Sequence, residues 1–151
     1  MTLTIRPARP DELEPLLQLV RAFWQGEKLP YREDWVRPAL STLLAHPEYG
    51  HVLVAEAAAG SRELVAYLVL AFGYSLEHGG RDALVDELYV EPSLRGGGQG
   101  GRMLAAAEEL CRAHGIKRLH LEVDNVNLRA AQLYTRIGFA SNDRRLLTKQ
   151  L

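Results

Sequence analysis

The chain has a single cysteine, Cys111, in 151 residues. No internal disulfide can form, and a zinc site built from several thiolates is excluded. An excess of positive charge is missing too: 18 Lys and Arg stand against 19 Asp and Glu, for a net charge of −1. A dedicated nucleic-acid binder would usually be basic, so no nucleic-acid partner is expected. No apolar run approaches the ~20 residues that span a bilayer. The opening Met-Thr-Leu-Thr-Ile-Arg also lacks the apolar core of a signal peptide. The expectation is a cytoplasmic protein with no membrane partner. Without repeats, low-complexity stretches or linkers, residues 1–151 are expected to form one domain, long enough to bury a sizeable core.

What is present is an ordinary globular composition, 47% hydrophobic and 25% charged. Leu3–Arg6 is predicted as a short strand, and Pro10-Asp11-Glu12 starts a helix with Leu13, Leu16, Leu17, Val20 and Phe23/Trp24 on one face. Arg32–Ala45 is predicted as a second helix, kinked or started late at Pro38. Val52–Ala57 and Leu64–Phe72 form a hairpin, and Ala83–Val90 is the next strand. Gly100–His114 is a helix closed by Gly115, with Cys111 on its core side as a buried thiol. Arg118–Val123 is a strand, Asn127–Ile137 a helix, and Arg144–Leu151 a final strand. The order β-α-α-β-β-β-α-β-α-β describes a mixed α/β domain.

The most informative stretch is Asp86–Met103: a strand, a turn containing Pro92, Arg95, and then five glycines within Gly96–Gly101 leading into a helix. Glycine tolerates the positive φ of a tight loop and leaves the backbone bare. Exposed N–H groups at the positive end of a helix dipole suit a phosphate-bearing ligand, and Arg95 adds a permanent cation with a fork of donors. A nucleoside-triphosphate P-loop would need Lys and then Ser or Thr after its last glycine, whereas Arg102 and Met103 follow here. Gly96, Gly98 and Gly101 do match the dinucleotide fingerprint, and Glu122 falls where a ribose-binding acid belongs. Two features oppose that reading. Glu91–Arg95 separates strand from loop, and too little chain follows Val123 for the further βα units that fold requires.

Arg95-Gly96-Gly97-Gly98-Gln99-Gly100 resembles the pyrophosphate loop of the GNAT superfamily of acyl-CoA-dependent N-acetyltransferases. Leu88-Tyr89-Val90-Glu91-Pro92 resembles the strand and turn before that loop. Asn127, Ala130, Leu133-Tyr134 and Gly138-Phe139 resemble the segment after it, so the likeness spans nearly the whole chain. Gly97 stands where a larger, basic residue is frequent, and Gln99 replaces an aliphatic residue, which could loosen helix packing.

The resemblance implies a mostly antiparallel twisted sheet with helices on both faces, splayed between two parallel central strands. It implies acetyl-CoA as acyl donor, with its pyrophosphate on Arg95, Gly96, Gly97, Gly98, Gln99, Gly100 and Gly101. The pantetheine arm would run along the edge of Leu88, Tyr89 and Val90, with a backbone N–H near Leu88 facing the thioester carbonyl. Asn127 would hold that arm, and Tyr134 would contact the sulfur and protonate the departing thiolate. A homodimer is also implied, with the edge strand Arg144–Leu151 to be covered.

An amine acceptor must lose a proton before it can attack. Asp86 and Glu87 are adjacent on a strand and are expected to point to opposite faces, one of them into the acceptor pocket. Glu87 is the preferred base and Asp86 the close second; the plainer alternative pairs both with arginines such as Arg81. The pocket is expected between Phe23–Trp35 and the turn Tyr74–Asp82, with Trp24, Tyr31, Tyr74 and Glu77 as substrate-binding groups beside Trp35 and His78. His46, His51, His114 and His120 show no metal-ligand spacing, so no metal is expected. The function so implied is direct acetyl transfer, in a ternary complex, to a primary amine of a small molecule or protein. The alternative is a non-catalytic acyl-CoA sensor of the same fold.

Overall fold

The computed structural model describes residues 2–151. Strands β1 (Thr4–Pro7), β2 (Gly50–Glu56), β3 (Leu64–Ser75), β4 (Gly80–Val90) and β5 (Leu119–Leu121) form one open sheet in the order β1-β2-β3-β4-β5. The first four pair antiparallel and β5 joins β4 in parallel. Helices α1 (Leu13–Gly26), α2 (Glu33–Ala45), α3 (Gln99–Ala113) and α4 (Leu128–Arg136) complete the order. The chain falls into two compact units, one up to Leu121 and one from Glu122 to Leu151.

Strand alternation sorts the first unit's side chains into two layers. Val52, Val54, Tyr67, Val69 and Tyr89 turn one way and pack with Leu16, Leu17 and Val20 of α1 and Leu40 of α2. Leu53, Ala55, Leu68 and Leu70 alternate with them, and all are buried. Helix α3, which packs on β2, β3 and β4, buries Met103, Leu104, Ala107 and Cys111. Burial pushes the Cys111 thiol up, so it is a core side chain rather than a nucleophile.

Arg6 ties the start of the chain down by donating to the carboxylates of Glu12 and Glu56. Glu12 also accepts the backbone N–H of Arg9 at 2.7 Å, which closes the entry into α1. Helix α2 begins at Glu33 and continues through Pro38. Pro38 and Asp34 lie on the exposed side, where water can satisfy the carbonyl that proline leaves without a donor.

The final strand is a correction. Arg144–Leu151 forms no strand, and Leu146 and Leu147 are both exposed. Two adjacent leucines point to opposite faces and give no one-sided stripe to bury. The edge-strand argument for a dimer therefore falls away. No helix among the described residues is long and apolar enough to cross a membrane.

Candidate active site

Two irregularities of β4 build the site. Its parallel pairing with β5 covers Ala83, Leu84 and Val85 only. Beyond Val85, β4 stays paired with β3, but no strand among the described residues pairs with its other edge. Leu88 to Val90 can therefore offer backbone groups to an amide-bearing ligand, except for the Val90 carbonyl, which accepts from Arg95. The second irregularity is a bulge. Val69 stands opposite Glu87 and Leu70 opposite Val85, which leaves Asp86 as an extra residue in β4.

A bulge sets two residues against one and re-aims a side chain. Asp86 and Glu87 consequently both line one cavity, where alternation would have placed them on opposite faces. The cavity holds about 170 Å³. Its wall is apolar, from Val20 and Trp24 of α1, Val36, Ala39, Leu40 and Leu43 of α2, and Val69 of β3. The α1–α2 groove lines this cavity, while Tyr74 and Glu77 sit on the exposed β3–β4 hairpin and do not line it. Trp35 is exposed under the guanidinium of Arg32.

Glu87 is held at both oxygens. Trp24 donates its indole N–H to Oε2 at 2.8 Å, and Tyr67 donates its hydroxyl to Oε1 at 2.9 Å. Burial pushes the Glu87 carboxyl above the usual carboxylate range, the two donors pull it back, and the charge of Asp86 adds to the rise. Burial and Glu87 together push the Tyr67 hydroxyl far up, so it remains a proton donor. Tyr67 escapes sequence reasoning because it sits within the aliphatic run Leu64–Leu70 of β3; the only signal is that a buried tyrosine hydroxyl needs a partner. Tyr31 packs edge-on against Trp24 with centroids 5.8 Å apart and donates to Glu33 at 2.7 Å. It braces the cavity's tryptophan and does not line the cavity.

The glycine loop fits a pyrophosphate. Gly96 and Gly98 have φ of 83° and 78°, a region that only glycine enters readily. Gly98 caps α3, and the first helical bond runs from Arg102 N to Gly98 O. The N–H groups of Gly100 and Gly101 in this first turn therefore have no helix carbonyl to meet. A Cβ added at Gly96, Gly98, Gly100 or Gly101 would find nothing within 4 Å, so the loop is open to a ligand. Gln99 is buried and accepts from Arg102, which also donates to Leu3 O at 2.9 Å, so it secures the helix start instead of loosening it. Arg95 donates Nε to Val90 O at 2.8 Å and lies over the Tyr89 ring, fastening the loop to the end of β4.

In the second unit Asn127 is the N-cap of α4, accepting the Ala130 N–H at 3.1 Å. Tyr134 lies seven residues on in the same helix, edge-on to Phe139 with centroids 6.1 Å apart. Away from these parts, His78, Asp82 and His120 converge, although their positions along the chain show no ligand spacing.

A sheet that parts after Val85, a bulged acidic strand and a glycine loop opening a helix define an acyl-transfer scaffold. The chain belongs to the acetyltransferase (GNAT) family, whose profile matches residues 13–139. It is 31% identical over 143 residues to thialysine N-ε-acetyltransferase of Bos taurus, a match covering 89% of this chain and 82% of that protein. It is 28% identical over 141 residues to the uncharacterised N-acetyltransferase YhfO of Bacillus subtilis, covering 91% and 89%. Among solved structures, an integron cassette protein from the mobile metagenome of Cole Harbour Salt Marsh superposes with a TM-score of 0.85 at 29% identity, covering 97% of this chain and 90% of that one.

Proposed function

We propose that this protein transfers the acetyl group of acetyl-CoA directly to a primary amine carried on a slender, partly apolar arm. The observation that carries the reading is the cavity of about 170 Å³, with aliphatic walls and an indole and with Asp86 and Glu87 both lining it. Aliphatic walls suit methylene groups, and the carboxylates suit an ammonium. Thialysine, named in the bovine relative, is an amine of this shape.

In this mechanism Asp86, which is exposed, attracts the cationic end of the substrate. Glu87, fixed by Trp24 and Tyr67, takes the proton directly or through one water and leaves the free amine. The Leu88 region presents backbone N–H to the carbonyl oxygen on which charge develops. The loop Gly96–Gly101 and Arg95 hold the pyrophosphate, and the free edge of β4 orients the arm that follows it. Asn127 is assigned to that arm, and Tyr134 to protonating the leaving thiolate, on the strength of the family motif they occupy. Acetyl-CoA supplies the acetyl group when bound. The proposal includes a homodimer that covers the exposed Leu146, Leu147 and Leu151, checked by light scattering.

The test is release of CoA with thialysine, linear diamines and polyamines, aminoglycosides and amino-terminal peptides. Linear amines should turn over and bulky aminoglycosides should not. Thermal stabilisation by acetyl-CoA with no release for any amine would favour the sensor reading.

A further inference from the structure

We propose that His78, Asp82 and His120 form a binding site for one divalent transition-metal ion of the zinc class, clamping the β3–β4 hairpin to β5. His78 Nδ1 lies 3.0 Å from Asp82 Oδ2, and His120 Nε2 lies 3.2 Å from that same oxygen. The two rings stand 5.0 Å apart, and the three ligand atoms all fall within 4.8 Å of one another. Nitrogen and oxygen ligands about 2.0–2.2 Å from one tetrahedral zinc ion stand about 3.3–3.6 Å apart. The two contacts to Asp82 Oδ2 are only slightly shorter than that, so small rotations of the imidazoles complete the set. Two imidazoles with one carboxylate select Zn²⁺, Co²⁺ or Ni²⁺ over Mg²⁺ or Ca²⁺, which prefer oxygen alone.

The backbone keeps space for this arrangement. Gly73 stands opposite Asp82 across β3 and β4. A Cβ at Gly73 would lie 2.5 Å from Asp82 Oδ1, so the carboxylate rests where a side chain would otherwise be. The Asp82 side chain is 16% exposed and that of His78 24%, whereas His120 is 41% exposed. The cluster is therefore sheltered on the hairpin side and open at β5, which leaves coordination positions for water.

The three ligands come from three elements: the 3-10 turn Leu76–His78, β4 and β5. His120 pairs in register with Leu84, within a β4–β5 ladder of only three residue pairs. An ion here would hold that ladder shut just below the point where β4 is left unpaired. Nothing in acetyl transfer uses these residues, so the site stands apart from the proposed reaction.

The experiment uses tag-free, chelator-stripped protein titrated with Zn²⁺ by calorimetry and thermal shift, and with Co²⁺ by visible absorption. One ion should bind per chain and raise Tm, and neither Mg²⁺ nor Ca²⁺ should do so. His120→Gln, at the exposed ligand, should fold normally and lose at least tenfold in affinity. Gly73→Ala keeps all three ligands but displaces the carboxylate, and should weaken binding as well. A wild-type Tm that Zn²⁺ leaves unmoved would overturn the site and reduce the cluster to a hydrogen-bonded His–Asp–His chain. Undiminished binding by His120→Gln would place the ion elsewhere and overturn it equally.

Discussion

Trp24 of α1 donates its indole N–H to Glu87 of β4 across 2.8 Å, between residues 63 positions apart. That bond holds a half-buried carboxylate in one orientation at the cavity wall, and it opposes the rise in the Glu87 pKa that burial causes. Trp24→Phe keeps a ring in the wall and removes the donor. Hydrogen bonds to charged groups contribute about 1.5–3 kcal/mol, and a loss of stability in that range is expected. With one donor gone the Glu87 pKa should climb further, moving the acid limb of the pH–rate profile for amine acetylation to higher pH. An unmoved limb would remove Glu87 from the role of base.

Glu87→Gln separates charge from shape. In the folded protein Glu87 holds its proton to a higher pH than in the unfolded chain. Within the window from the ordinary glutamate value, about 4.3, up to the raised one, the folded state binds more protons. Stability from this group therefore falls as pH rises through that window, and its full cost is present above it. Glu87→Gln lacks this dependence. The stability difference, wild type minus variant, should decline from about pH 4 upward and then level. A difference independent of pH would show that the carboxyl titrates alike in both states. Turnover of the variant should fall most at low pH, where free amine is scarce, and Asp86→Asn should have the smaller effect.

Much of this architecture is legible in the sequence because periodicity reports burial. Leu16, Leu17 and Val20 mark the inner face of α1, and Met103, Leu104, Ala107 and Cys111 that of α3. The glycine loop is legible because its residues are needed for backbone reasons that no tertiary contact alters. The bulge at Asp86 is not legible, since it exists only in the register between β4 and β3. The error about opposite faces follows directly from it. Tyr67, one hydroxyl within the aliphatic run Leu64–Leu70, becomes a partner of Glu87 only once the two strands pair. His78, Asp82 and His120 belong to three elements, so no spacing along the chain connects them.

Gly98→Val tests the cradle. Gly98 has a φ of 78°, and its absent Cβ would meet nothing within 4 Å. The cost to the free protein is thus confined to the left-handed backbone, about 1–2 kcal/mol. The branched side chain would stand at the start of α3, where the pyrophosphate is proposed to approach the N–H groups. The variant should fold with a modestly lower Tm and lose the stabilisation by acetyl-CoA that mass action gives the wild type. Equal stabilisation of both proteins would place the ligand elsewhere.

Tyr134→Phe removes one hydroxyl and keeps the ring, so the edge-on contact with Phe139 persists. A general acid contributes about 10²–10⁴-fold, and turnover should fall within that range while the Kd for acetyl-CoA changes little. Loss of kcat without loss of binding marks an interaction made only in the transition state. The measurement must isolate the chemical step, by single-turnover CoA release, because slow product release would mask the loss. The effect should shrink for a thioester whose thiol is more acidic, since such a leaving group needs less protonation. An equal loss for both thioesters would assign Tyr134 to positioning, and no loss for either would leave it a packing residue of α4.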